Sequence, residues 1–370
     1  MPKKYRVGII GATGKGNYGH SVDKAFTKLP NIDIVAVADD NTAGLAAAKE
    51  RLKAKSTYSD YNVMLQKEKL DIVAICPRWI DQHHAMLMAA AEAGCHIYTE
   101  KPFCPTLKLS DEVVQNLEMR HLSLGIAHIS QYSPVLDVVL EIIKSGEIGD
   151  VLEIRGRGKE DHRGGGEDLW VLGSHVFGLM RSLAGGHPVS CTATVTNGGQ
   201  PIAPKDIVQG GEGLGLIAGD HVQARYDFEN GIVGYFASKR SMGGKPSRFG
   251  LQLFGSKGVI EMTSGYLTPA YILRDSSWSP GRTSKTWETI TSNGIGKPET
   301  RKDGSYEGGH IAAIKDLIDS IEIQRPTRFT AEDCRGIIEM IAAVYESQRI
   351  GKTVSMPLET RVNPLSLMSR

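Results

Sequence analysis

The first third of the chain alternates short apolar segments with stretches in which apolar residues recur every three or four positions. One segment from Arg6 to Ile10 and another from Ile32 to Ala38 have the length and character of buried strands. The stretch between them places four apolar residues on one helical face: Val22, Ala25, Phe26 and Leu29. A strand, a helix and a second strand in this order predict two parallel strands joined by a crossover helix.

The same alternation continues to residue 127. Three further apolar segments predict strands: Asp71 to Cys76, His96 to Thr99 and Ser123 to Ala127. Segments with helical periodicity separate the strands: Thr42 to Leu52, Tyr61 to Lys67, Gln82 to Ala93 and Leu109 to Met119. This pattern predicts an α/β fold that begins with a doubly wound parallel sheet of the Rossmann type.

The pattern changes near residue 129, after which strands follow one another without helices between them. Alternating apolar residues mark two of these strands: Val222, Ala224, Tyr226 and Phe228 in one, and Phe249, Leu251 and Leu253 in the other. Two helices close the chain, and Thr330 with Asp333 predicts a capped start for the second. We expect a dinucleotide-binding domain at residues 1–128. Residues 129–370 should form an α/β domain with a large, open, mainly antiparallel sheet.

The composition narrows the class of protein. The 370 residues carry 43 Lys and Arg against 42 Asp and Glu, so nothing indicates nucleic acid or an anionic membrane as partner. No apolar run approaches the ~18 residues of a membrane-spanning helix, and the first ten residues resemble a strand more than a signal peptide. The five cysteines are scattered and the histidines lack metal-site spacing. We therefore expect a cytoplasmic protein without a metal site.

A glycine-rich segment, GATGKGNYGH at residues 11–20, follows the first predicted strand. Two registers fit the dinucleotide-binding pattern G-x-G-x-x-G: Gly11, Thr13 and Gly16, or Gly14, Gly16 and Gly19. Glycines allow the backbone to approach a pyrophosphate closely, and a helix N-terminus offers N–H donors. We expect the turn at Gly11, Ala12, Thr13 and Gly14, with Gly16 in a longer loop over the phosphates.

Two acidic residues, Asp39 and Asp40, end the second predicted strand. Dinucleotide folds place at this position the carboxylate that binds the adenosine ribose. A carboxylate accepts a hydrogen bond from the 2′-OH of NAD and repels the 2′-phosphate of NADP. Asn41 and Thr42 follow, with no Arg to receive a phosphate. We predict NAD as cofactor with Asp39 as ribose ligand, the alternative being that Asp39 is only a turn residue.

Residues 99–103 read Thr-Glu-Lys-Pro-Phe, directly after a predicted strand. The proline restrains Lys101 away from helical geometry and holds it at the end of the strand, where such sheets bind ligands. A lysine there can reach a substrate hydroxyl beside a nicotinamide. The alternative is a surface lysine at a turn, which the upstream strand–glycine–helix pattern makes the weaker interpretation.

The chain resembles the Gfo/Idh/MocA family, named for glucose–fructose oxidoreductase and myo-inositol dehydrogenase, over roughly residues 5–358. Four stretches carry the resemblance: Ala91 to Phe103, Ile143 to Gly156, Gly164 to His175 and Phe254 to Met262. It implies a Rossmann domain with an α/β substrate domain, a bound nicotinamide dinucleotide and a sugar or cyclitol substrate. It also implies that Lys101 and His175 face the nicotinamide. The resemblance further implies that Pro77, His83 and Glu100 contact the cofactor.

The chain departs from the family pattern around His175. The family commonly has Asp four residues before this histidine and often another three residues after it, where this chain has Val171 and Gly178. The usual Asp–His proton relay therefore lacks a member. Asp168 is the first candidate to replace it and His162 the second; Glu167 and Asp161 are also near enough in sequence. The simpler alternative is that Lys101 and His175 work without a carboxylate. His310, which follows two glycines before a helix, is a further candidate for the substrate cleft.

Three functions remain open on this basis. The first is NAD-dependent hydride transfer at a secondary alcohol of a sugar or cyclitol, with Lys101 polarising the hydroxyl and His175 acting as acid or base. The second is a redox-neutral lyase or hydrolase that uses tightly held NAD transiently. The third is a non-catalytic dinucleotide sensor. We also expect a homodimer or homotetramer formed through the free face of the second sheet.

Overall fold

The computed structural model describes residues 3–368. They fall into two compact units. The first unit contains the residues up to Ile129, together with Gly211–Gly215 and Ser305–Ile338. The second contains Ser130–Gly210, Leu216–Gly304 and the described residues from Glu339 onward. The sequence-based boundary at residues 128 and 129 lies beside the first change of unit, but residues 305–338 pack with the first unit.

The first unit is built on a six-stranded parallel sheet, which confirms the predicted doubly wound fold. Its strands are β1 (Tyr5–Ile10), β2 (Ile32–Ala38), β3 (Ser56–Tyr58), β4 (Ile72–Ile75), β5 (His96–Thr99) and β6 (Leu124–Ile126). Their order is β3-β2-β1-β4-β5-β6. The strand order reverses between β1 and β4, so this fold opens its ligand crevice at the carboxyl ends of those strands.

Five helices connect these strands: α1 (Val22–Phe26), α2 (Thr42–Leu52), α3 (Tyr61–Lys67), α4 (His83–Glu92) and α5 (Leu107–Met119). Side-chain caps fix several starts. Asn41 accepts the N–H of Gly44 at 2.9 Å ahead of α2, and Thr106 accepts that of Leu109 at 3.3 Å ahead of α5. The cap at Thr106 explains why α5 begins two residues before its predicted start.

The second unit holds an eleven-stranded sheet, in which β7 pairs parallel with β13 and the other pairs are antiparallel. Its first strands are β7 (Val151–Arg157), β8 (Pro188–Asn197), β9 (Gln200–Pro201), β12 (His221–Phe228), β13 (Val233–Lys239) and β14 (Gly250–Gly255). The others are β15 (Val259–Thr263), β16 (Ala270–Leu273), β17 (Glu288–Thr291), β18 (Gly294–Ile295) and β19 (Val354–Ser355). A separate hairpin joins β10 (Ile207–Gln209) to β11 (Leu216–Ala218).

The alternation predicted for β12 is present, with Val222, Ala224, Tyr226 and Phe228 all buried. The unit also contains α6 (Pro134–Lys144), α7 (Gly166–Val171), α8 (Gly173–Ala184) and α9 (Pro280–Thr283). Phe177 of α8 packs on the sheet, its ring centroid 5.6 Å from that of Tyr226 and 4.7 Å from that of Phe236. This face of the sheet therefore forms the core of the second unit.

Two long helices end the chain, α10 (Tyr306–Ile323) and α11 (Ala331–Ile350). Ser305 caps α10 by accepting the N–H of Gly308 at 3.2 Å. The cap predicted for α11 is confirmed: Asp333 accepts the N–H of Thr330 at 2.9 Å, and Thr330 accepts that of Asp333 at 3.1 Å. Among the described residues, no helix is long and apolar enough to cross a membrane.

Candidate functional site

The glycine-rich segment forms an ordered turn and not the first turn of a helix. Ala12 and Asn17 make an antiparallel bridge, and the side chain of Asn17 accepts the N–H of Gly14 at 3.0 Å. Gly16 has φ +89°, and a Cβ there would lie 2.3 Å from the backbone nitrogen of Arg78. Position 16 therefore requires glycine, because any side chain there would collide with the loop after β4. Helix α1 begins only at Val22, so this turn separates β1 from the helix.

The carboxylate of Asp39 lies at the end of β2 and is almost fully buried. It accepts hydrogen bonds from the N–H and hydroxyl of Thr13, at 3.2 and 2.7 Å, from the Tyr18 hydroxyl at 2.9 Å and from the N–H of Asn41 at 3.0 Å. Burial, and then the neighbouring Asp39 charge, raises the pKa of Tyr18 well above its usual value. Asp39 therefore fixes the glycine-rich turn against β2.

A cavity of about 180 Å³ opens beside this carboxylate. It is lined by Ile10, Gly11, Ala12, Ala38, Asp39, Asp40, Ser59, Asp60, Tyr61, Gln82 and Met86. Three carboxylates, Asp39, Asp40 and Asp60, border it. The cavity lies at the carboxyl ends of β1 and β2, where Gly11 and Ala12 of the predicted turn and the predicted ribose ligand Asp39 line it together.

Lys101 follows β5 directly, and its side chain is buried. Glu100, also fully buried, accepts the backbone N–H of Lys101 with Oε2 at 2.9 Å. Burial alone would raise the pKa of Glu100. Hydrogen bonding and charge from His20, with the Lys101 charge, outweigh burial and hold this pKa well below its ordinary value. Lys101 thus lies beside a buried carboxylate that stays ionised.

His83 joins the loop after β4 to the loop after β5. Its Nε2 lies 2.7 Å from the carbonyl oxygen of Pro77, and its Nδ1 lies 2.8 Å from that of Pro102. The ring has no exposed surface. The structure therefore gathers the predicted residues Pro77, His83, Glu100 and Lys101 at the ends of β4 and β5, with His83 holding the two loops together.

Three side chains form a hydrogen-bonded cluster around Glu100: His20, Tyr98 and His310. Of these three, the sequence analysis had named only His310 as a candidate. His20 contacts Glu100 through its backbone nitrogen at 2.9 Å and through ring Nδ1 at 2.8 Å. His310 places Nε2 3.2 Å from the carbonyl oxygen of His20 and Nδ1 2.8 Å from the Tyr98 hydroxyl. Burial lowers the pKa of His310 to about 4. These contacts join residues 80 to 290 positions apart, so the only available signal was a histidine ending the glycine-rich segment.

In the second unit, His175 lies in the first turn of α8. Its ring meets that of Phe249 edge to face, with centroids 6.1 Å apart. Val171, at the position where the family commonly has Asp, is buried at the end of α7. The two predicted catalytic groups Lys101 and His175 thus belong to different compact units.

Asp168 lies on the short helix α7, where the glycines before it had favoured a loop. Its carboxylate is fully buried and accepts the N–H groups of Lys159 and Glu160, at 3.3 and 3.0 Å, and the Ser238 hydroxyl at 2.5 Å. Burial raises the pKa of Asp168. A Cβ at Gly158 would lie 2.0 Å from Asp168 Oδ2. Asp168 therefore binds the segment after β7 to β13.

The other candidates for the relay differ from Asp168 in exposure. The His162 side chain is 85% exposed, and its Nδ1 lies 3.9 Å from Asp161. Hydrogen bonding from Arg163 lowers the pKa of Asp161 to about 2. Within residues 3–368, no group of three or more His, Cys, Asp or Glu side chains is placed to hold a metal ion.

Two family models match the chain. One, described as an oxidoreductase family with an NAD-binding Rossmann fold (GFO_IDH_MocA), matches residues 5–128. The other, the GFO/IDH/MocA C-terminal domain, matches residues 137–261. Together they span more than half of the chain, and each falls mainly within one of the two compact units.

Relatives of known name are distant. An inositol 2-dehydrogenase of Corynebacterium glutamicum is 27% identical over 197 residues, 51% of this chain and 57% of that protein. A levoglucosan dehydrogenase of Pseudarthrobacter phenanthrenivorans is 24% identical over 286 residues, 68% of this chain and 72% of that protein. A solved levoglucosan dehydrogenase, in complex with NADH and levoglucosan, superposes with a TM-score of 0.79 at 20% identity. The superposition covers 96% of this chain and 100% of that one, so the two proteins share a fold.

Proposed function

Because the chain belongs to the Gfo/Idh/MocA family, we propose that it is an NAD-dependent dehydrogenase acting on a secondary alcohol of a sugar, sugar derivative or cyclitol. The observation that carries the proposal is Lys101, buried at the end of β5 beside the ionised Glu100. A buried ammonium at the crevice of a dinucleotide fold suits a substrate oxygen that gains negative charge.

We assign the chemical roles within this proposal as follows. Lys101 donates a hydrogen bond to the substrate oxygen and makes the hydroxyl easier to deprotonate. His175 takes the hydroxyl proton in oxidation and returns it in reduction. Asp168 is the proposed carboxylate of the relay that Val171 cannot supply. A bound nicotinamide dinucleotide supplies the acceptor for the hydride that leaves the carbinol carbon.

The residues at the ends of β1 and β2 fit this cofactor. The turn at Gly11–Gly16 comes close to the loop after β4 without side chains at its glycines. Asp39, Asp40 and Asp60 border the neighbouring cavity and would repel a 2′-phosphate. These carboxylates support NAD over NADP.

The substrate class rests on the names of relatives. Inositol and levoglucosan, named in two of them, are both rings with several secondary hydroxyls. We propose a substrate of that kind.

Tyr235 and Tyr271 lie exposed on strands of the second unit's sheet, and this polar and aromatic surface supports the proposed homodimer or homotetramer. Light scattering after size-exclusion chromatography measures the oligomeric state.

The test is a panel of cyclitols, sugars and sugar acids offered to the purified protein with NAD, while the absorbance of reduced nicotinamide is followed. A fresh preparation is denatured and assayed for co-purified dinucleotide. Steady NADH production with at least one polyol supports the proposal. Tightly held NAD with consumption of a sugar but no net NADH would favour the redox-neutral enzyme. Dinucleotide binding without any turnover would favour a sensor.

A further inference from the structure

The carboxylate of Glu100 connects a histidine of the glycine-rich segment to Lys101. Glu100 has no exposed surface, and a carboxylate at that depth requires donors or cations around it. Its Oε1 receives both contacts from His20, at 2.9 and 2.8 Å, and its Oε2 receives the backbone N–H of Lys101 at 2.9 Å. One side chain thus links His20 to the backbone that presents the lysine.

The chain around His20 is shaped for this contact. Gly19 has φ +64°, and a Cβ there would lie 2.5 Å from Glu100 Oε1 and 2.7 Å from the carbonyl oxygen of Cys76. Only glycine at 19 permits so close an approach. The His20 ring also lies against the ring of Tyr306, with centroids 5.6 Å apart. The imidazole is therefore held in one orientation relative to the carboxylate.

This orientation fixes the tautomer of His20. An ionised carboxylate only accepts hydrogen bonds, so Nδ1 of His20 carries a proton in either charge state. The side chain is 33% exposed, so water reaches the ring.

The other titratable groups near Glu100 are His128, His310, Asp23 and Cys76. Burial lowers the pKa of His310 to about 4 and that of His128 to about 3. Asp23 is paired with Arg51 at 2.8 Å, and burial raises the pKa of the Cys76 thiol. The hydrogen bonds that hold the carboxylate of Glu100 come from His20 and from the Lys101 backbone.

We propose that His20 is a positioning residue for Lys101, acting through Glu100. Its donors hold the carboxylate against the lysine backbone and so fix the position from which the carboxylate's charge acts on the lysine ammonium. The catalytic part of this inference rests on the proposed function, since it assumes that Lys101 acts on the substrate. The structural coupling between His20 and Lys101 does not.

Two substitutions test the hydrogen bond from His20. In His20→Asn, the amide N–H can stand where Nδ1–H stands. In His20→Ala, the side-chain donor is lost. A hydrogen bond to a charged group contributes enough that kcat of His20→Ala should fall ~10- to 100-fold, with a smaller change in KM. His20→Asn should restore most of kcat because it keeps the donor. His121→Asn, at an exposed position of the same unit, is the control and should leave kcat and KM unchanged.

A second readout does not depend on turnover. In protein labelled with ¹³C at the lysine ε-carbon, the Lys101 signal should change its chemical shift in His20→Ala. The signal should stay near its wild-type position in His20→Asn and in His121→Asn. An unchanged Lys101 signal in His20→Ala, or a wild-type kcat in that variant, would overturn the inference. If no polyol is turned over by wild type, the proposed function fails, and the NMR signal alone decides the coupling.

Discussion

Replacing Lys101 by methionine removes the ammonium group while keeping most of the side-chain volume. Lys101 is 5% exposed, so little water is present to take over its role. Glu100 keeps the two contacts from His20 and the backbone N–H of residue 101, so the variant should fold. A preorganised donor to a developing oxyanion contributes ~2.7–4 kcal/mol, which predicts a loss of ~10²–10³ in kcat.

The assay measures kcat and KM on the polyol found in the screen, and the Kd for NADH by fluorescence. Lys101→Met should lower kcat by the stated factor and leave the Kd for NADH nearly unchanged. Lys108→Met, an exposed lysine on α5, is the matched control and should behave as wild type. If Lys101→Met retains the wild-type kcat, Lys101 is only structural and the reasoning about its buried charge is wrong.

Three further outcomes are expected. Gly16→Ala should lower the free energy of unfolding, measured by chemical denaturation, by about 1–3 kcal/mol more than Gly94→Ala does. Both glycines have positive φ, but only the new Cβ at residue 16 would collide with backbone atoms. Equal losses in the two variants would refute the close-approach argument. The ratio of kcat/KM with NAD to that with NADP should be well above one, and a preference for NADP would remove Asp39 as ribose ligand. The low pKa of Glu100 stabilises the fold above the ordinary Glu pKa, and this contribution is lost as pH falls through the folded-state pKa. Glu100→Gln should therefore flatten the acid limb of stability against pH in thermal melts, and an unchanged limb would contradict the assignment.

The proton relay is tested separately. If Asp168 completes the relay with His175, Asp168→Asn should change the pH–rate profile, whereas His162→Gln should not. Asp168→Asn should also lower the melting temperature, because the carboxylate holds the amides of Lys159 and Glu160. If Asp168→Asn has a lower melting temperature but an unchanged pH–rate profile, Asp168 only stabilises the segment at Lys159 and Glu160 and takes no part in the relay.

Local patterns predicted the sheets well because each strand and helix carries its own periodicity. The alternation along β12 and the cap at Thr330 depend on neighbours within a few positions, and both are present. The shape of the glycine-rich turn before α1 was not predictable in the same way. It follows from the Ala12–Asn17 bridge and from the contact of Gly16 with the loop after β4, which lies 62 residues further along the chain.

Contacts between distant positions account for the rest. From its position before Lys-Pro, Glu100 would be predicted to be a polar turn residue. It is buried because His20 supplies hydrogen-bond donors to its carboxylate. The carboxylate of Asp168 is likewise buried because Ser238 and two amides after β7 surround it. Sequence spacing cannot show which side chains meet in this way, since the partners lie 8 to 80 positions apart.

The central claim, hydride transfer to a nicotinamide, is tested most directly by following the hydrogen itself. Wild-type protein is incubated with NAD and polyols deuterated at their carbinol carbons, including myo-inositol and levoglucosan. Mass spectrometry and proton NMR then locate the deuterium. We predict deuterium at C4 of the reduced nicotinamide, at a rate that falls sharply in Lys101→Met. Recovery of NAD without deuterium from every polyol, or loss of the deuterium to water, would contradict the account.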